Sequence, residues 1–337
     1  MVSTVCSSFQ CLRLSNFFNR PDLSQIQAMA LIGHCLRNNL DTNSAWILIG
    51  QSDPRKYASY LPLLIRRTTG ATIRLAQSIG LHEASLSLTQ TEQTQRNHLW
   101  WTLIWQDTFL SFTYDRPPST VTMANCPIPY TTPPSRGGHS FPECIFTICS
   151  ILLSRTPQAS SLQLSLDCKR RLQAVGATAA PFLTDKSRCA SLQDHLERLA
   201  LGVHMGYSIC RLSRDVLLLG DGDEEAGAAD CVRSGLAAVE SFLDLHRFSA
   251  RVCRSWAFVH NAVSCAITLR GLERRMRGAG WNSDPRVEGV VGRLIAVLEK
   301  EAKESEWCDA DTNVRHFGPY SRELRALREI YRGGNEV

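Results

Sequence analysis

The sequence predicts an all-α fold built as one large multi-helix domain. Apolar residues recur three to four apart along most of the 337 residues, the period of a helix with one buried face. Clusters of Gly, Pro and Asp separate those stretches, and no segment alternates apolar and polar as a half-buried strand would. With 44% hydrophobic and 20% charged residues, the chain has the composition of an ordinary globular protein with a sizeable core.

The elements follow in order. Residues 1–21 show no clear pattern and form a poorly defined N-terminal segment; Arg13 and Arg20 are not followed by an apolar core, so no signal peptide is expected. A helix is expected over 22–40, starting at Asp22 behind Pro21, with Leu23, Ile26, Met29, Ala30, Ile32 and Gly33 at helical spacing. A short apolar stretch, 45–50, follows. Asp53-Pro54 and Leu61-Pro62 break helix over 51–67, and 68–80 resumes it with Ile73, Ala76 and Ile79. The best-defined helix covers 89–113. Thr89 and Glu92 have the spacing of a capping box, and Leu99, Leu103, Ile104, Phe109 and Leu110 form its apolar face, widened by Trp100, Trp101 and Trp105. It must end before Pro117-Pro118. Six prolines (117, 118, 127, 129, 133 and 134) and Gly137-Gly138 make 115–140 an irregular connection. Helical patterns then cover 142–155, 161–176, 187–219, 228–247, 250–277, 285–306 and 320–332, and 333–337 is a tail.

Composition narrows the function. A net charge of +5 neither demands nor excludes nucleic acid, which needs a clustered basic face. The 32 Arg against 5 Lys are scattered among acidic residues and read as compositional bias rather than a phosphate-binding set. The 13 Cys contain no C-x₂-C pair; the closest spacings, Cys6/Cys11 and Cys144/Cys149, are too wide for a zinc knuckle. An odd count without a signal peptide argues against a disulfide framework and for a reducing compartment, with Cys acting as small buried hydrophobes. Cys168, Cys189, Cys210 and Cys231 lie 21 apart, but their flanks share nothing and indicate no repeat. No apolar run reaches membrane-spanning length.

Enzyme signatures are missing: no G-x-S-x-G, P-loop, H-E-x-x-H or G-x-G-x-x-G occurs, so the chain is expected not to be an enzyme. Asp221 could open a calcium loop, but Ala226 and Val232 stand where Gly and Glu are required; a solvated acidic turn is expected. His195 and His204, nine residues apart on one helix, face opposite sides. Arg270, Arg274, Arg275 and Arg277 form a basic helix end near Glu273, as the helix dipole favours.

One segment is more specific. Residues 80–117 carry Gly80-Leu81-His82, Arg96, Trp100-Trp101, Asp107, Ser111 and Asp115-Arg116-Pro117. This pattern resembles the fungal-specific transcription factor domain, the middle homology region of zinc-cluster regulators related to the xylanolytic activators. Asp115 stands where the family has the Gly of G-R-P, and the basic run before the Trp pair is reduced to Arg96-Asn97-His98. Ser44-Ala45-Trp46 and 72–77 also match; in the family they are nearly adjacent, so 51–70 reads as an insertion, either a surface loop or a retained unspliced segment. Residues 317–331 are similar to the closing helix of many such regulators. The likeness is loose over 22–332 and sharp over 72–117.

The resemblance implies a nuclear transcription regulator and assigns 22–332 to its helical regulatory domain. It also implies zinc and sequence-specific DNA contact through a six-cysteine N-terminal module, whose ligands these residues do not supply. A homodimer and a small-molecule effector are the other implied partners; no membrane is expected. The alternative is a helical interaction or ligand-sensing protein that acts without DNA. The motif residues are expected to be structural: Trp100 and Trp101 each bury about 150–250 Å², and a buried Asp107 needs a partner, with Arg116 or Arg96 expected to supply it.

Overall fold

The computed structural model describes residues 2–39, 61–83, 87–120, 126–134, 136–155, 162–219, 224–276, 284–305 and 321–332. Among these residues every regular element is helical and there is no strand. The chain divides into two compact units, 1–159 and 160–337.

The first unit holds α1 (Val2–Leu14), α2 (Leu23–Asn39), α3 (Leu61–Ser78), α4 (Gln90–Thr113) and α5 (Phe141–Leu153). α1 lies in the segment whose sequence shows no clear pattern. α2 starts at a reciprocal cap: Gln25 N donates to Asp22 Oδ1 at 2.8 Å, and Asp22 N donates to Gln25 Oε1 at 3.0 Å. α3 begins at Leu61, a full turn and more before the expected start at 68. Pro62 does not break it, because a first-turn residue has no helical acceptor for its missing N–H. Residues 61–70 of the expected insertion are therefore helical; 51–60 and Ser44-Ala45-Trp46 lie outside the described residues.

α4 starts with the expected capping box. Glu92 N donates to Thr89 Oγ1 at 3.3 Å, and Thr89 N donates to Glu92 Oε2 at 2.9 Å. Its apolar face carries Leu99, Trp100, Trp101, Leu103, Ile104, Phe109 and Leu110, all buried. Around it Ile26, Ile73, Ala76, Leu81, Cys144, Ile145 and Ile148 complete the core of the first unit.

The second unit holds α6 (Leu162–Thr178), α7 (Pro181–Thr184), a 3₁₀ turn (Lys186–Arg188), α8 (Leu192–Leu219), α9 (Glu224–Phe248), a second 3₁₀ turn (Ala250–Arg254), α10 (Trp256–Met276), α11 (Arg286–Ser305) and α12 (Ser321–Arg332). Two expected helices start later than their patterns suggest. Asp185 Oδ1 accepts from Ser187 N at 2.8 Å and closes the first 3₁₀ turn, and α8 then starts where Ser191 Oγ accepts from Asp194 N at 3.2 Å. Ser249 Oγ accepts from Arg251 N at 3.3 Å at the second turn, which delays α10 to residue 256. Both are local side-chain bonds to the backbone that compete with helix. The acidic turn at 221–223 lies outside the described residues.

α8 and α9 form a hairpin whose crossing is lined by small residues. A Cβ at Gly206 would lie 2.7 Å from the Ser234 carbonyl oxygen and 2.9 Å from the Ala238 Cβ. The hairpin also brings Cys210 and Cys231 together, Sγ to Sγ 3.7 Å. They face each other from α8 and α9, so the 21-residue spacing of this pair reflects helix packing, not a repeat. Lys169 of α6 meets Asp230 of α9 at 2.6 Å.

Candidate functional site

The motif residues gather around α4, and most of them terminate a helix or fasten one to its neighbours. α3 ends in a Schellman arrangement: Gly80 N donates to the Gln77 carbonyl and Leu81 N to the Ala76 carbonyl, both at 2.9 Å. Gly80 has φ +63°, the left-handed region where only glycine is free of strain. Leu81 is fully buried, the apolar contact that accompanies this terminator. His82 places its ring 5.6 Å from the Trp100 ring, and its Nε2 lies 3.3 Å from Glu83 Oε1.

Arg96 reaches back from α4 to the end of α3, where Nη2 donates to the Ile79 carbonyl at 2.9 Å. A cation here satisfies a free carbonyl and complements the negative end of the helix dipole. Trp100 is wholly buried. Trp101 Nε1 donates to the Pro127 carbonyl at 3.0 Å and the Cys126 carbonyl at 3.2 Å, and its ring sits 5.9 Å from Phe146 of α5. One indole thus holds both the proline-rich connection and the next helix.

Asp107 is buried, and its Oδ2 accepts from Thr120 N at 3.1 Å and Thr120 Oγ1 at 3.0 Å. A threonine bonds this oxygen, and Arg96 directs its Nη2 to the Ile79 carbonyl. Thr120 escapes a sequence reading because its partner is 13 residues away across a loop.

The end of α4 repeats the terminator of α3. Arg116 N donates to the Ser111 carbonyl at 3.0 Å, Tyr114 N to the Leu110 carbonyl at 3.1 Å, and Asp115 has φ +51°. Ser111 is buried, whereas Arg116 and Pro117 are exposed. The left-handed backbone explains why the resembled family has Gly at this position, and why Asp, one of the residues that tolerates the region, replaces it. Asp115→Gly is therefore expected to stabilise the first unit by about 0.5–1 kcal/mol, read as a rise in the thermal midpoint; a fall would refute the strain.

Two buried polar residues complete the set: Gln106 lacks an obvious sequence signal, whereas Glu143 stands at capping-box spacing behind Ser140. Gln106 Nε2 donates to the Ala30 carbonyl of α2 at 3.1 Å. Glu143 of α5 accepts from Ser140 N at 2.6 Å, from Ser140 Oγ at 2.8 Å and from Thr131 N, so it closes the α5 capping box and anchors the proline-rich connection together. Burial pushes its carboxyl up, but the bonds from Thr131 and Ser140 outweigh this and hold it below the ordinary 4.5. A lowered value means stabilisation that is present above pH 4.5 and is lost as pH falls through the folded value. Glu143→Gln is expected to cost about 1–2 kcal/mol at pH 7, with the difference from the parent chain shrinking as pH falls below 4.5 in urea unfolding.

Burial governs the titration of Cys126, Cys144, Cys253 and His260. Burial raises the Cys126 thiol to about 11, and the Cys144 and Cys253 thiols to about 12, so none of these is a thiolate at neutral pH. Burial, aided by Arg211, pulls His260 down to about 4. His204 is buried against Asn261, Nδ1 to Nδ2 3.4 Å, and His246 pairs with Glu301 at 2.9 Å. Among the described residues no group of three or more His, Cys, Asp or Glu side chains is placed to hold a metal. Cys11 is exposed on α1 and Cys35 half-buried on α2; these donors do not fit a two-zinc cluster. No helix of the described residues is long and apolar enough to cross a membrane.

The first unit is thus a helical body whose polar residues set helix ends and packing. Residues 7–133 match the model of the fungal specific transcription factor domain, the family that the 80–117 pattern resembles. The match covers somewhat more than a third of the chain and ends at residue 133; residues 317–331 lie outside it. No curated protein and no solved structure gave a match.

Proposed function

We propose that this chain is the helical regulatory part of a transcription regulator of the fungal zinc-cluster class, acting in the nucleus by modulation rather than chemistry. The observation that carries the reading is the domain match over 7–133, within which the motif residues from Gly80 to Arg116 cluster at the ends and contacts of α3 and α4. The reading assigns zinc binding and DNA contact to a separate module, since no C-x₂-C pair occurs in these 337 residues. A small molecule or a protein partner, including a second copy, acts by preferring one arrangement of the helices over another.

A reporter assay tests it. The 337-residue chain is fused to an unrelated DNA-binding module and expressed in a fungal cell with the matching promoter. The expected result is nuclear accumulation and a changed reporter level relative to the module alone. A fusion that enters the nucleus, binds the promoter and leaves transcription unchanged would overturn the reading.

A further inference from the structure

The last helix of the second unit is held differently from the others. α12 packs on α10 and α11 and buries Leu324 and Leu327, three residues apart on one face. Charged groups add to its fastening. Arg328 meets Glu299 Oε1 of α11 through Nε at 2.7 Å and Nη2 at 2.6 Å. Arg274 of α10 donates to the Ile330 carbonyl in the last turn of α12 at 2.6 Å. The Arg270 guanidinium lies 5.1 Å from the centre of the Tyr331 ring, and its Nη1 also bonds Glu273 Oε2 at 2.7 Å, both side chains being more than nine-tenths buried.

These fastenings make α12 easy to detach. Part of the floor beneath Tyr331 is a buried ion pair. When uncovered, an ion pair regains hydration that burial had removed, and this offsets part of the cost of exposing the two leucines. A 12-residue helix has marginal stability alone in water, so α12 is helical because it is docked. In sequence it follows α11 after residues 306–320, a stretch able to span up to about 50 Å when extended, which permits departure without moving α11.

We infer that α12 is a releasable latch, and that the groove of α10 and α11 it covers is a docking site for an amphipathic helix of a partner protein with the same pattern. That pattern is two leucines three apart, a basic residue directly after the second, and an aromatic residue three further on, as in Leu324, Leu327, Arg328 and Tyr331. The groove reads each part. The apolar strip takes the leucines, Glu299 selects the base, Arg270 takes the ring face, and Arg274 caps the carbonyl end of whatever helix lies there. This is helix-in-groove recognition with the first occupant supplied in cis.

The test uses the full chain with a specific protease site placed within 306–320 and cleaved after folding. A fluorescent peptide of residues 319–332 is then added. The expected result is saturable exchange of the peptide into the cleaved chain, and at least roughly tenfold weaker binding to the uncleaved chain, where tethered α12 competes at high effective concentration. Arg328→Glu in the peptide is expected to lose at least about tenfold in affinity, and Glu299→Arg in the chain to restore it. In the uncleaved chain, hydrogen exchange of α12 amides should run ahead of that of α10 and α11. The proposal is overturned if α12 exchanges no faster than α10, if the peptide never enters, or if loss of α12 unfolds the second unit as judged by circular dichroism. It is equally overturned if α12 passes only between copies of this chain, in a dimer already present before cleavage.

Discussion

A chain carrying Trp100→Ala is expected to lose about 3–5 kcal/mol of stability in its first unit, the range for deleting a large buried aromatic side chain. Trp100 has no exposed surface, sits on the apolar face of α4 and lies beside His82 at the end of α3. Its removal leaves a void where two helices meet, and the flanking backbone is pinned by Arg96 and the α3 terminator, so the site collapses poorly. Hydrogen exchange of the α4 amides reads the effect directly, as a drop in their opening free energy. Trp100→Phe should keep more than half of the stability. A loss below about 1 kcal/mol for the alanine variant would show that the indole is not a core element.

The second large effect lies at the α8–α9 crossing. Gly206→Ala is expected to destabilise the second unit by about 2–3 kcal/mol. Two terms oppose each other here. Replacing a helical glycine by alanine contributes roughly 0.5–1 kcal/mol of helix stability. Against this, the new methyl would lie 2.7 Å from a backbone carbonyl oxygen and 2.9 Å from a backbone nitrogen of α9, neither of which can swing aside as a long side chain would. Forced separation of packed helices exceeds the propensity gain. Gly289→Ala isolates the other term, since nothing lies within 4 Å of a Cβ at that position; it should stabilise by about 0.5–1 kcal/mol. Urea unfolding of both variants checks the pair, and equal shifts of the same sign would refute the steric account.

The fold class is readable because helical periodicity is a repeated signal, and the box of Thr89 and Glu92 marks a helix start without tertiary information. Misplaced boundaries have local causes. Leu61-Pro62 looks like a break until Pro62 is seen in a first turn, and Asp185 and Ser249 divert residues that fit a helical pattern into 3₁₀ turns. The motif is legible as a pattern, but its meaning is not. Gly80 and Asp115 are ends of the same kind, and only their positive φ shows it. Asp107 is buried and partnered, as its place among apolar neighbours implies, but spacing cannot reveal Thr120 across an irregular loop. Gln106 escapes notice because a single polar residue among apolar neighbours carries no periodic signature; Glu143 is legible in principle, as the fourth residue of a Ser140-x-x-Glu143 box.

The bonds of α4 have a thermodynamic consequence. Arg96 ties it to the end of α3, Gln106 to α2, Trp101 to residues 126–127, and Asp107 to Thr120. Every other tied segment of the first unit therefore loses a bond when α4 unravels, and α4 loses one when any of them departs. Such an arrangement couples partial openings: each segment that departs gives up a bond to α4, so α2, the end of α3 and residues 120 and 126–127 are expected to open together with α4 more readily than singly.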